Sequence, residues 1–198
     1  MDIFIIGAIC YLMGSLPFGF ILTKIFLKKD IREIGSGNIG ATNALRTGSK
    51  FIGYTTLFFD IIKAVIPIIY IKLNFPEFLY IASLCAFLGH VFPIWLRFKG
   101  GKGVASFMAF TLVTSWPFFI TFSITWLITV KLCKYSSLAA ISSIIINVII
   151  FKLILQLQFN NNLLLWIPGE PIEFQFTLLL SIVILCKHYS NITSMFRK

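Results

Sequence analysis

The chain alternates between long apolar runs and short polar stretches. The apolar runs cover residues 3–25, 51–71, 78–96, 104–130, 138–157 and 174–186. Most are close to the roughly 20 apolar residues that one helical membrane crossing needs. The run at 104–130 has two readings: one long tilted helix, or two short helices hinged at Trp116-Pro117, where proline removes a backbone donor. In the first run, Ser15-Leu16-Pro17-Phe18-Gly19 predicts a kink and the close approach of a neighbouring helix.

Composition narrows the class. The 198 residues are 58% hydrophobic and only 12% charged, with a mean hydropathy of +0.93. Soluble domains carry about 25% charged residues, so an ordinary soluble domain is excluded. Aromatic residues at 16% exclude disorder as well. An all-α polytopic membrane protein remains, with room for about six or seven crossings and a single domain over 1–198.

The net charge of +10 is read as a topology signal, with no nucleic-acid partner expected. Charge parity decides the fate of 104–130. A single crossing there would put Lys131, Lys134, Lys187, Arg197 and Lys198 opposite the basic first loop, which holds Lys28, Lys29, Arg32, Arg46 and Lys50. Two short helices put all of them on the cytoplasmic side with Arg97, Lys99 and Lys102, leaving Lys72 and the acids Asp2, Glu77, Glu170 and Glu173 outside. The expected fold is therefore seven transmembrane helices, N-terminus outside and C-terminus cytoplasmic. The fourth and fifth helices, of about 12 and 14 residues, are short for full crossings, so a re-entrant hairpin of the same parity is the alternative. The first run carries its charges behind it (Lys24, Lys28, Lys29), unlike a cleavable signal, and is expected to stay as a membrane helix. Cys10, Cys85, Cys133 and Cys186 are too scattered for a disulfide framework or zinc site and read as small buried hydrophobes.

This topology brings three polar stretches to the cytoplasmic face. The first holds Gly35-Ser36-Gly37-Asn38-Ile39-Gly40-Ala41-Thr42-Asn43 and ends at Arg46. Glycine at that density lets backbone amides converge on an anion; Ser36, Asn38, Thr42 and Asn43 add polar side chains, and Arg46 a fork suited to phosphate. The spacing Gly35-x-Gly37-x-x-Gly40 fits a dinucleotide fingerprint only literally, because no βαβ unit surrounds it. The second stretch runs from Gly89-His90-Val91-Phe92-Pro93 to Phe98-Lys99-Gly100-Gly101-Lys102-Gly103-Val104-Ala105. Glycines interleaved with Lys99 and Lys102 before a helix N-terminus form a second phosphate-type cradle. His90 reads equally as a packing residue or a reacting one. The third stretch, Lys187-His188-Tyr189-Ser190-Asn191-Ile192, places His188 and Asn191 on one side of a continuing helix. Asp60 and Lys63, three apart in the second run, are expected to pair, since an unpaired charge in a bilayer is costly. Two phosphate-type cradles beside lipid suggest transfer between two phosphorylated substrates, at least one of them lipidic. A transporter of phosphorylated metabolites is the alternative, although no internal repeat supports it.

These three stretches resemble the motifs of the bacterial acyl-phosphate:glycerol-3-phosphate acyltransferases. Residues 14–19 are similar to that family's first helix, and Asp60 and Lys63 to its second. The resemblance implies a multi-pass enzyme of the bacterial cytoplasmic (inner) membrane, with its active site facing the cytoplasm. It would transfer a fatty acyl group from acyl phosphate to the 1-hydroxyl of glycerol 3-phosphate, giving lysophosphatidate and phosphate. It implies neither cofactor nor metal, and names acyl phosphate, glycerol 3-phosphate, the lipid bilayer and the acyl-phosphate-forming enzyme as partners. By the same resemblance, Ser36, Arg46 and Lys102 hold the phosphate of glycerol 3-phosphate, and His188 and Asn191 orient its glycerol end. The remaining substrate-binding positions are Gly37, Asn38, Gly40, Thr42, Asn43, His90, Lys99, Gly100, Gly101 and Gly103, with the glycine amides binding the acyl-phosphate head group. Tyr189 and Ser190 depart from the family pattern, which has an Arg-Glu pair there.

Overall fold

The structure, a computed structural model, describes residues 2–196; Arg197 and Lys198, which entered the charge parity, lie outside the described residues. The regular elements among the described residues are helical, and they form two compact units, Met1–Phe110 and Thr111–Lys198.

The first run is two helices rather than one kinked helix: α1 (Ile3–Gly14), capped by the Asp2 carboxylate, and α2 (Phe18–Leu27). Pro17 has no amide to continue the α1 ladder, so the chain breaks at residues 15–17. The short α3 (Ala41–Leu45) leads into α4 (Lys50–Asn74), where the Ser49 hydroxyl accepts from the Ile52 amide. Inside α4, Pro67 removes the amide that would have bonded the Lys63 carbonyl. Helix α5 (Leu79–Val91) completes the packing of this unit, and α6 (Val104–Thr114) follows the second polar stretch.

Helices α1 and α5 pack closely through glycines. A Cβ at Gly14 would strike the Ala86 backbone, and one at Gly89 would strike the Tyr11 carbonyl and sit 2.8 Å from the Ser15 amide. Gly19 approaches the Ile39 carbonyl in the same way. The close approach predicted at the 15–19 break is therefore present. Under the first polar stretch, Leu22, Ile31, Ile39, Ala44, Ile52 and Leu96 form a buried apolar cluster that anchors it to α2 and α4.

The run at 104–130 is divided, as charge parity required, but at Ser115, just ahead of Trp116-Pro117. Proline at the start of α7 (Trp116–Cys133) loses no bond there, so it begins a helix instead of hinging one. Helix α7 is 18 residues long, longer than expected, because it continues to the left-handed cap at Lys134. The α8 helix (Ser136–Asn161) packs on α7 and on α9 (Pro171–Lys187), with α10 (Tyr189–Phe196) following. Phe151 of α8 stacks on Phe118 of α7 and meets Phe174 of α9 edge-on, while the Asn147 amide donates to the Phe118 carbonyl at 2.7 Å.

The segments Ile3–Leu27, Pro76–Leu96, Trp116–Cys133 and Ser136–Asn161 are long and apolar enough to cross a membrane. Their outward residues include Phe4, Ile25, Leu127, Leu132 and Ile149, all exposed. A surface of large apolar side chains suits lipid and not water. The cysteines are free, but only Cys10 is buried; Cys133 and Cys186 are exposed on this apolar surface, where a thiol is tolerated as a small hydrophobe.

The glycine contact between α1 and α5 is directly testable. Gly89→Ala should lower the thermal midpoint in detergent by roughly 5–10 °C, the cost of overpacking a tight helix pair. Gly7→Ala adds a methyl that meets only the Cys85 sulfur at 3.3 Å and should shift the midpoint far less.

Candidate functional site

The first polar stretch is organised by one side chain. Asn43 is 2% exposed, and its Nδ2 donates to the carbonyls of Ile31, Ile34 and Asn38 at 2.8–3.0 Å. Its Oδ1 accepts the Ser36 amide at 3.0 Å. The Asn43 side chain is thus engaged by the loop's own backbone, and it shapes the cradle rather than facing a ligand. Gly35 and Gly37 have φ of +54° and +68°, which glycine adopts without strain. At Gly35 a side chain would also collide with Arg46, whose Cδ lies 2.6 Å from the added atom. The Arg46 side chain therefore folds over Gly35, beside the exposed Ser36. Asn38, Gly40 and Thr42 are half-buried around the same turn.

The second stretch is pinned near its start to α1 and to the α1–α2 break. The Tyr11 hydroxyl donates to the Phe92 carbonyl at 2.6 Å, and the Trp95 indole N–H donates to the Ser15 hydroxyl at 2.8 Å. Neither contact was legible in the sequence, because some 80 positions separate the partners; Ser15 beside Pro17 was the only hint. Gly100 and Gly101 fold back on His90. The Gly101 amide donates to the His90 carbonyl at 3.0 Å, and a Cβ at Gly101 would land on the imidazole Nε2. Both glycines are required first for this packing. His90 is only 4% exposed, so its ring touches the loop and not the solvent side of the cradle.

Lys99 is exposed, whereas Lys102 is half-buried ahead of α6, and Gly103 at φ +88° turns the chain into that helix. Burial, with the nearby Arg46 guanidinium, pushes the Lys102 amine down to about 8. Two cations from different polar stretches are therefore close enough for the charge of one to be felt by the other. The first amides of α6 have no carbonyl partner within the helix. Ser36, Arg46, Lys102 and this helix terminus together suit a doubly charged oxyanion such as phosphate.

Beneath the cradle the expected ion pair forms: Lys63 Nζ lies 2.7 Å from Asp60 Oδ1, both side chains being buried.

The third stretch belongs to the second unit. His188 is buried where α9 ends, and its Nδ1 is 2.8 Å from the Ile184 carbonyl. A carbonyl only accepts, so Nδ1 carries a proton and donates it to Ile184. The helix does not continue straight through but restarts at α10, with the Asn191 amide donating to the His188 carbonyl at 2.9 Å. Tyr189 is 69% exposed.

Asn43 gives the sharpest test of this geometry. Asn43→Asp keeps the acceptor for Ser36 but removes both donors, leaving buried loop carbonyls unpaired at about 1–3 kcal/mol each. Its thermal midpoint should fall and its affinity for anions weaken together, whereas Asn38→Asp should affect stability much less.

Comparison with known proteins agrees with this chemistry. The family model described as glycerol-3-phosphate acyltransferase matches residues 4–198. A glycerol-3-phosphate acyltransferase of Pelagibacter ubique is 60% identical over 141 residues, covering 71% of this chain and 74% of that protein. One of Brucella anthropi is 37% identical over 196 residues, covering 98% of this chain and 90% of that protein. The crystal structure of the integral membrane glycerol 3-phosphate acyltransferase PlsY (YgiH) in its glycerol 3-phosphate form is similar at a TM-score of 0.86 and 28% identity. That alignment covers 98% of this chain and 92% of that one. The lysophosphatidic acid form of PlsY aligns over the same shares at a TM-score of 0.83. With most of its length matched at this identity, the chain belongs to the glycerol-3-phosphate acyltransferase family.

Proposed function

We propose that this enzyme transfers a fatty acyl group from acyl phosphate to the 1-hydroxyl of glycerol 3-phosphate. The new ester is lysophosphatidate, and the leaving group is inorganic phosphate. One observation carries the reading: Arg46 folds over Gly35 of the first polar stretch, and its charge reaches Lys102 of the second, a pairing of cations that a phosphate dianion favours. The glycerol 3-phosphate and lysophosphatidic acid forms of the similar PlsY support the same substrate and product.

Ser36, Arg46 and Lys102 bind the phosphate of glycerol 3-phosphate, and His188 and Asn191 orient its glycerol end. The amides around Gly40, Gly100 and Gly103, with Gly37 shaping the turn and Asn38, Thr42 and Lys99 beside it, serve the acyl-phosphate head group. Acyl phosphate is an activated mixed anhydride, so positioning the hydroxyl and stabilising developing charge do most of the work. A substrate phosphate oxygen accepts the hydroxyl proton as oxygen attacks the acyl carbon, and the anhydride bond breaks toward phosphate. No serine or cysteine becomes acylated in this scheme.

The same reading takes the whole chain as one acyltransferase domain, with seven crossings of the bacterial inner membrane. Its N-terminus is outside, and the reaction faces the cytoplasm. The apolar helix surfaces and the lysines capping α2 and α7 support this placement. The donor requires an acyl-phosphate-forming enzyme as supplier.

Purified protein given glycerol 3-phosphate should release phosphate with palmitoyl phosphate and not with palmitoyl-CoA, matched one for one by lysophosphatidate. Lys102→Ala should slow release by at least about a hundredfold. Counterflow of labelled glycerol 3-phosphate without any acyl donor would instead indicate a transporter.

The pH dependence follows from Lys102. Its charged form binds phosphate, so the KM for glycerol 3-phosphate should rise once pH passes about 8. Lys102→Arg stays charged and should move that rise to higher pH. Stability of the unliganded protein has the opposite sign. Between about 8 and 10.5 the unfolded chain holds the Lys102 proton that the folded chain has lost, so stability increases with pH there.

A further inference from the structure

The Asp60–Lys63 pair and His90 form a buried cluster that the transfer chemistry does not use. Lys63 Nζ donates both to Asp60 Oδ1 at 2.7 Å and to the Leu16 carbonyl at 2.6 Å, in the break between α1 and α2. On the other side of the carboxylate, His90 Nδ1 lies 3.9 Å from Asp60 Oδ1, and it has no hydrogen-bond partner among the described residues. The opposite edge of the imidazole packs against Gly101, and the His90 carbonyl holds the Gly101 amide at 3.0 Å. Lys102 is the next residue.

Burying two charges merely to join helices is a poor use of them, since apolar residues of similar volume pack as well or better. An ionisable cluster inside membrane helices points to function by default. Here the cluster connects three things: the open helix break, the carboxylate, and the underside of the loop that carries Lys102. The ring is trapped between Asp60 and Gly101, so its position sets the loop's height. A misplacement of about 1 Å at a substrate-holding group costs on the order of a hundredfold in rate.

We infer that Asp60, Lys63 and His90 form a buried post that positions the Lys102 amine, and that all three are positioning residues for the phosphate site. The inference rests on the proposed function only in taking Lys102 as a substrate ligand.

Four variants test it: His90→Leu, His90→Gln, Asp60→Asn, and the paired Asp60→Asn/Lys63→Met, which removes both charges should the single Asp60 variant fail to fold. Two readouts are needed. One is KM and kcat for glycerol 3-phosphate. The other is the pH midpoint for amine labelling of Lys102 in unliganded protein, read by mass spectrometry, expected at about 8 in the parent.

His90→Leu should raise KM about tenfold with a smaller change in kcat, and His90→Gln, which keeps a polar group beside the carboxylate, should recover part of it. The labelling midpoint should move by about half a pH unit or more in His90→Leu and in the paired variant. Loss of thermal stability alone, with KM and the Lys102 midpoint as in the parent, would overturn the inference. Should the parent transfer no acyl group while the midpoint still moves, the positioning role stands and the proposed activity fails.

Discussion

The ammonium of Lys63 is the interaction on which the first unit turns. Where water is absent, every backbone polar group must find its partner within the protein. The interruption at residues 15–17 strands carbonyls that an unbroken helix would have satisfied, and Lys63 takes that of Leu16 at 2.6 Å. A cation there needs a counterion, which Asp60 supplies from the same face of α4. With the break held open, Gly19 approaches the Ile39 carbonyl, and Ser15 presents its hydroxyl to Trp95. Both polar stretches are thereby seated on the same interruption: the first through Gly19, the second through Tyr11 and Ser15.

That seating explains a division of labour among the polar residues. Glycine density looked like an open anion nest, yet much of it serves the chain itself. Gly35 makes room for Arg46, Gly101 for the His90 ring, and Gly89 for α1. Asn43 is engaged entirely by loop backbone. Fixing the loops with internal bonds leaves Ser36, Arg46 and Lys99 exposed on a frame organised in advance of any ligand.

Much of this was legible in the sequence, and the physical reason is local. Apolar runs of membrane length, proline at 17 and 117, and an i,i+3 acid–base pair all act within a few residues, so a distortion at Pro17, the division of 104–130 and the Asp60–Lys63 bond could be anticipated, though the first run breaks fully where only a kink was expected. The exact break at Ser115 and the length of α7 were not, because proline favours a helix start and the chain follows that preference. At the site, residue types announced phosphate chemistry, but not which groups are structural. Asn43 and Gly101 looked like ligand-facing positions because hydrogen bonds to remote carbonyls leave no trace in spacing. His90, ambiguous in sequence, takes its meaning from Asp60 on one side and Gly101 on the other, neither nearby along the chain.

The charges of the proposed phosphate site then explain why so little side-chain chemistry is needed. Burial, with the nearby Arg46 guanidinium, brings Lys102 to about 8, within reach of losing its proton. On the proposed reading, a phosphate dianion held by Arg46 and Lys102 favours the charged form of Lys102. When the phosphate-bearing product leaves, that support goes with it. For an enzyme whose proposed substrates and leaving group all carry phosphate, that balance matters more than a strong base. The two cations must be close enough to capture a phosphate, and one of them must be poised to let it go.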